Sequence, residues 1–201
     1  MKSKFQEEIN GEFIYLKKVN IEDALDIYNW RSGISGKFLR QPDGYSVKFQ
    51  EGWIIARGEN EINYIIYDKQ NHDKVGMIGI YDVNDHDGVA NVGRLLLAER
   101  FLKQSTPYGL EAMLLAYSYV FNEMNFRKLT GDIMARNDDM VKLQKFLGMK
   151  QEGFLSKHTV INGVAEDLHI MSIMKTEFAK YQQKIRFLLK SFKQTFVSDP
   201  I

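Results

Sequence analysis

VANVGRLLL (Val89–Leu97), KQSTP (residues 103–107) and YGLEAMLLAYSYVFNEM (residues 108–124) together decide the fold. The first run is rich in β-branched and aliphatic residues and reads as a strand. Gly93 inside it marks a bulge or a close backbone approach. The last run has helical spacing and is apolar nearly all round, which predicts a buried helix. Thr106 is placed as its N-cap and Pro107 as its first residue, where a missing N–H costs nothing. A strand that runs through a hydroxyl-rich loop into a helix N-terminus builds an anion site. Free N–H groups and the helix dipole point at one spot, and a diphosphate fits there.

Upstream, residues 13–19 form a strand. Asn20 then caps a helix that begins with Glu22 and Asp23 and carries Ile21, Ala24, Leu25 and Tyr28 at helical spacing. Residues 34–45, with Gly36, Pro42 and Gly44, read as a loop, and 47–56 as a second helix. Strands at 62–68 and 75–83 join Val89–Leu97 in an antiparallel meander. Downstream, Lys128–Met134 is a strand. Asn137 caps a helix with Asp138 and Asp139 at its positive end and Gly148 as its stop. Two last strands, at 153–160 and 166–174, meet at an Asn162-Gly163 turn. The order β-α-α-β-β-β-α-β-α-β-β predicts an α+β, mixed α/β domain over residues 1–176. Its central sheet is mostly antiparallel, of about six to seven strands flanked by helices.

Residues 177–201 extend it. Phe178, Tyr181, Ile185, Leu189, Phe192 and Phe196 recur at helical spacing, with Lys180, Lys184, Arg186, Lys190 and Lys193 between them. This basic amphipathic helix can dock on the domain, pair in a homodimer, or touch an anionic membrane, the last being least favoured.

The bulk numbers narrow the function. Lys+Arg 27 against Asp+Glu 26 leaves a net charge of +1, which argues against nucleic acid as a partner. Absence of cysteine rules out disulfides, thiolate metal sites and a cysteine-bound acyl group. No metal is expected. The N-terminus has no signal-peptide pattern and no run reaches the roughly 20 apolar residues of a membrane span, so a cytoplasmic location is expected.

Gln104-Ser105-Thr106-Pro107-Tyr108-Gly109, followed by Leu110-Glu111-Ala112, resembles the acyl-CoA pyrophosphate loop of the GNAT superfamily of N-acetyltransferases, Gln/Arg-x-x-Gly-x-Gly/Ala. The stretch from Asn137 through Gly148 to Glu152-Gly153 resembles the family's Asn-x-x-Ser…Gly-Phe…Glu-Gly segment. The likeness spans residues 13 to about 175. It implies acetyl-CoA as donor, main-chain pairing of Leu95, Leu96 and Leu97 with the pantetheine arm, loop amides on the diphosphate, and Asn137 close to the coenzyme. Two departures stand out. Pro107 replaces the central loop glycine and removes a donor. Gln144 stands where many members carry a tyrosine that protonates the departing thiolate, and glutamine cannot supply a proton.

An amine must be neutral to attack, which calls for a base, direct or through water. The candidates are His158 and Asp167 beside the last hairpin, then Asp82, Asp85, His86 and Asp87, with Glu99 near the coenzyme loop. Trp30-Arg31-Ser32 is similar to the Trp-Arg-Asn signature of members that acetylate nucleotide-linked amino sugars of the pseudaminic-acid type, where this region walls the acceptor site. The resemblance therefore implies a small-molecule primary amine as acceptor, with a nucleotide amino-sugar foremost. The late hairpin also resembles ribosomal-protein acetylating relatives. A protein N-terminus, a polyamine or an aminoglycoside is the alternative acceptor, and a non-catalytic acyl-CoA-binding module the third reading.

Overall fold

The computed structural model describes residues 4–197, with side chains to Phe192. The side chains of Lys193 and Phe196, and residues 198–201, lie outside the described residues. Eight strands form one sheet: β1 (Glu8–Asn10), β2 (Ile14–Lys18), β3 (Ile62–Asp68), β4 (Lys74–Asn84), β5 (Val89–Leu97), β6 (Lys128–Met134), β7 (Lys150–Ile161) and β8 (Val164–Met174). Their order is β1-β2-β3-β4-β5-β6-β8-β7. β1 goes beyond the expected count because three residues, EIN, carry no strand pattern of their own. β2 supplies the pairing that defines them.

Every neighbouring pair is antiparallel except β5 and β6. Parallel neighbours need a crossover, and α3 (Tyr108–Ser118) provides it. β5 and β6 stay in register for three pairs only, Val89 with Lys128 through Asn91 with Thr130. Beyond that point β5 follows β4 to Leu97, and β6 follows β8 to Met134. The two strands therefore part and leave a V-shaped cleft in the middle of the sheet.

A bulge sharpens this divergence. Gly79 faces Gly93, but Met77 faces Leu96, so β5 carries one residue more than β4. The left-handed backbone falls on Arg94 (φ 54°) rather than on Gly93. At Gly93 it is a side chain rather than a backbone that comes close, since a Cβ there would lie 2.9 Å from the Tyr81 hydroxyl. Bulges re-aim side chains, and this one sends the Arg94 guanidinium across Gly79 to Glu61 and Asn63, while the residue still borders the cleft.

Helix α1 (Ala24–Ser32) follows a short turn capped by Asn20, and α2 (Val47–Ile55) is capped by Ser46. The α3 run is buried almost throughout, as its apolar circumference predicts. After Ser118 it widens into a π turn, with the Met124 N–H reaching Tyr119 O at 3.0 Å. Helix α4 (Asp138–Phe146) stops at Gly148, where φ is 99° and a Cβ would collide with Tyr181.

Helix α5 (Lys175–Val197) begins at once after β8 and docks on α3. Phe178 packs against Tyr117 and Phe121, with ring centroids 5.6 and 5.1 Å away, and Gln182 Nε2 donates to Ser118 Oγ at 2.8 Å. Ile185 and Leu189 are buried with them. Each such side chain removed from water stabilises by about 1.5–3 kcal/mol. Among the described residues no helix is long and apolar enough to cross a membrane.

Candidate active site

The site is built where β5 ends and α3 begins. Pro107, rather than Thr106, is the N-cap of α3, because the Tyr108 N–H folds back onto Thr106 O (2.9 Å). The Glu111 N–H takes Pro107 O (3.0 Å). Among the described residues no protein acceptor receives the N–H of Gly109 or of Leu110. Two amides at the positive end of a buried helix are thus left for an anion, even though Pro107 contributes none.

The loop side chains have a different task. Gln104 Nε2 donates to Arg100 O (3.2 Å), while Ser105 is exposed and Thr106 half-buried. The Tyr108 ring is buried, and its hydroxyl donates to Asp68 Oδ2 at 2.6 Å. Burial first, then that carboxylate, pushes the Tyr108 phenol up to about 12. Asp68 also receives the N–H groups of Gln70 and Asn71, so it staples the β3–β4 turn to the loop. Glu111, in the same motif, is buried and accepts the N–H groups of Glu12 and Phe13. These residues hold the loop in shape.

Leu95, Leu96 and Leu97 divide by the strand's alternation. Leu96 is buried opposite Met77. The Ala98 N–H bonds Val75 O (2.8 Å) on the β4 side, so Leu97 presents its carbonyl to the open edge, where the Ser35 hydroxyl takes it. Leu95 lines the cleft. A Cβ on Gly109 would stand 3.5 Å from Leu95 and 3.6 Å from Leu97, so the first turn of α3 lies directly over this open edge.

The cleft between β5 and β6 encloses about 290 Å³ and includes Tyr81, Arg94, Asp132, Asn137, Met140 and Gln144 in its walls. Asn137 Oδ1 caps α4 by accepting the Met140 N–H (3.3 Å). Gln144 is buried. Its Oε1 receives the hydroxyl of Tyr117, and its Nε2 lies 3.8 Å from Met140 Sδ. Tyr117 is fully buried, which raises its phenol well above the ordinary range and keeps it neutral. The Gln144 carbonyl is therefore held by Tyr117, and its amide end meets Met140, which also lines the cleft.

On the acceptor side, Trp30 belongs to the core and does not line the cleft. Arg31 lies behind the wall. Its Nη2 donates to Arg40 O (2.8 Å), its guanidinium carbon sits 5.5 Å from the Tyr45 ring centroid, and its Nε is buried without a partner. Burial lowers its pKa. Gly36 allows the loop to turn here, since a Cβ would fall 1.8 Å from Arg31 O. Glu99 Oε1 accepts the Ile34 N–H at 3.0 Å and ties the same loop to the end of β5.

The structure does not bring His158 or Asp167 to the cleft. β7 bulges opposite Asp167, whose Oδ1 accepts the Lys157 N–H (2.7 Å), and His158 stands exposed beside that bulge. Thr159 and Ile161 line the cleft in their place. Asp82 accepts from Asn91 Nδ2 (2.8 Å), Asp85 pairs with Lys4, and exposed His86 meets Asp87 Oδ1 at 2.9 Å. Asp85, His86 and Asp87 belong to the β4–β5 turn, at the end where β5 and β6 remain paired.

Asp132 is the residue that sequence reasoning missed. It is the single carboxylate among the described residues lining the cleft, and it makes no hydrogen bond or ion pair there. A strand reading of KLTGDIM places it on one face of β6 but cannot say that β5 has moved away from it. Among the described residues no group of three or more His, Asp or Glu could hold a metal.

Comparison with known proteins agrees with this geometry. The sequence model of the Acetyltransferase (GNAT) domain matches residues 14–150. The Probable N-acetyltransferase YjcK of Bacillus subtilis (strain 168) is 22% identical over 182 residues, covering 84% of this chain and 98% of that protein. A GCN5-related N-acetyltransferase from Brucella melitensis has a TM-score of 0.79 at 18% identity, over 93% of this chain and 87% of its own. The spermidine N-acetyltransferase from Vibrio cholerae, solved in complex with CoA and spermine, has a TM-score of 0.74 at 19% identity, over 84% and 99%. The free amides of α3 and the parted strands fit the coenzyme that such enzymes use. The chain belongs to the GNAT acetyltransferase family and is an N-acetyltransferase that takes its acetyl group from acetyl-CoA.

Proposed function

We propose that the acceptor is a primary amine carried by an anionic small molecule, with a nucleotide-linked amino sugar as the best fit. The observation that carries this reading is the charge of the acceptor wall. Arg40 and Arg94 line the cleft with Arg31 close behind, against one carboxylate, Asp132. Glu61 is shared by Arg57 (2.5 Å) and Arg94. A polycationic acceptor would meet like charge here, whereas arginine forks suit phosphate oxygens.

Acetyl-CoA supplies the activated acyl group. The chain's own residues do the rest. The N–H groups of Gly109 and Leu110 bind the diphosphate, and the open edge of β5 at Leu95 and Leu97 orients the arm. Asn137 and the Gln144 amide border the reacting end. Asp132 accepts, directly or through water, the proton that the ammonium must shed before nitrogen attacks. Gln144 offers a hydrogen bond but no proton; coenzyme A, whose thiol has an ordinary pKa of roughly 8.5, departs as the thiolate and takes up the proton that the new amide nitrogen sheds. Rate then comes mainly from proximity.

Thiol release from acetyl-CoA, measured against nucleotide amino-sugars, aminoglycosides, polyamines and peptides, tests this reading. Turnover with a nucleotide amino-sugar is expected. Activity confined to polyamines or peptides would contradict it.

A further inference from the structure

A second cavity, of about 380 Å³, lies beside α2 and β3. Phe5, Val19, Trp53, Ile54 and Ile62 give it an apolar side, Lys4, Lys18, Arg57, Glu59 and Glu61 a charged one, and Asn63 also lines it. Asn63 is only 4% exposed. Its Oδ1 is occupied by Arg94 Nη1 (3.1 Å), and its Nδ2 is buried without a partner. An unpaired buried donor carries a desolvation cost unless a ligand relieves it. What is missing is an acceptor atom, such as the ring carbonyl of a planar group that rests on the apolar side.

The cavity is not isolated. Trp53, Arg57 and Glu61 line it and also line an adjoining hollow, which Arg94 enters from the cleft side. Arg94 in turn lines the cleft. A continuous wall therefore runs from the reacting end, past two arginines that share one carboxylate, into the chamber. The Arg57 guanidinium is stacked on Trp53 at 3.7 Å and fixed by Trp53 O (2.7 Å) and Glu61. A stacked guanidinium readily takes a further planar ring.

We propose that this chamber seats the nucleobase of the acceptor, with the Asn63 amide donating to a base carbonyl and the Arg57–Arg94 passage holding the diphosphate. The proposal rests on the acceptor reading above and adds where the nucleotide goes. Amine, diphosphate and base then follow one another along the wall in the order in which a nucleotide amino-sugar carries them.

Titration calorimetry with uridine diphosphate and with inorganic pyrophosphate, both on protein saturated with CoA, tests it. The bound CoA keeps the donor site from taking the probes. Uridine diphosphate should bind at least about tenfold tighter than pyrophosphate, since base stacking and one hydrogen bond are added. Trp53→Ala and Asn63→Asp should each remove that difference while CoA affinity stays unchanged. Asn63→Asp retains the oxygen facing Arg94 and serves if the tryptophan variant fails to fold. Equal affinity for the two probes, or loss of pyrophosphate and uridine diphosphate binding alike in both variants, overturns the proposal. Acetylation of a nucleotide amino-sugar without base-dependent binding removes the chamber alone. Base-dependent binding without such acetylation keeps the chamber and removes the acceptor assignment.

Discussion

At the residue scale, side chains in the recognition motifs divide between ligand and scaffold, and Glu111 illustrates the second group. Its carboxylate replaces water for two N–H groups of the β1–β2 turn, and burial raises its pKa above 4.5 despite those bonds. A raised folded-state pKa means that the native protein binds this proton more tightly than the unfolded chain does. The associated stability is present below pH 4.5 and is lost as pH climbs through the native value. Thermal melts of Glu111→Gln should therefore lack that fall above pH 4.5, while lying below the wild type at every pH because one turn amide loses its acceptor. Melting curves whose pH slope matches the wild type would refute this account of Glu111. Asp132, which lines the cleft, is the counterpart in the proposed mechanism. Asp132→Asn should lower kcat by about a hundredfold with acetyl-CoA affinity intact. A loss of coenzyme binding in proportion would give Asp132 a structural role instead.

Residues whose function is local were legible in the sequence. Asn20, Asn137, Gly148 and the Asn162-Gly163 turn do in the structure what their chemistry predicts. His158 and Asp167 are the opposite case. A bulge opposite Asp167 shifts β7 by residues that no local pattern marks, so the carboxylate serves the Lys157 N–H and the imidazole faces solvent. Trp30 and Arg31 were read from a resemblance. Whether a tryptophan points to core or cleft depends on how α1 packs on β4 and β5, which the local sequence does not state.

At the element scale, the sequence marks the strands from β2 to β8 and all five α-helices: most by a buried face that leaves a periodic pattern, and β7, exposed along almost all its length, by the Asn162-Gly163 turn that follows it. It does not mark β1, nor that α3 opens into a π turn after Ser118. The C-terminal helix shows what packing adds. Its apolar stripe allowed docking, pairing or membrane contact, and the structure seats it on α3 through Phe178, Ile185 and Leu189. Phe178 lies over Tyr117, the residue that holds Gln144 at the cleft. Phe178→Ala should cost about 3–5 kcal/mol of stability. Chemical denaturation would measure it, and a loss under about 1 kcal/mol would mean that α5 contributes little to the fold.

At the scale of the whole molecule, the decisive feature is the parting of β5 from β6. Seven antiparallel-looking strands and a crossover helix imply one parallel pair, but not that its pairing stops after Asn91. The opening combines three things: α3 amides without acceptors, an open strand edge at Leu95 and Leu97, and an arginine-rich wall facing one carboxylate. A crystal structure of the protein with acetyl-CoA tests that combination most directly. The account predicts the coenzyme diphosphate within hydrogen-bond distance of the Gly109 and Leu110 N–H groups, with the acetyl end between β5 and β6 near Asn137 and Asp132. A coenzyme bound elsewhere, with those two amides still unmatched, would contradict it.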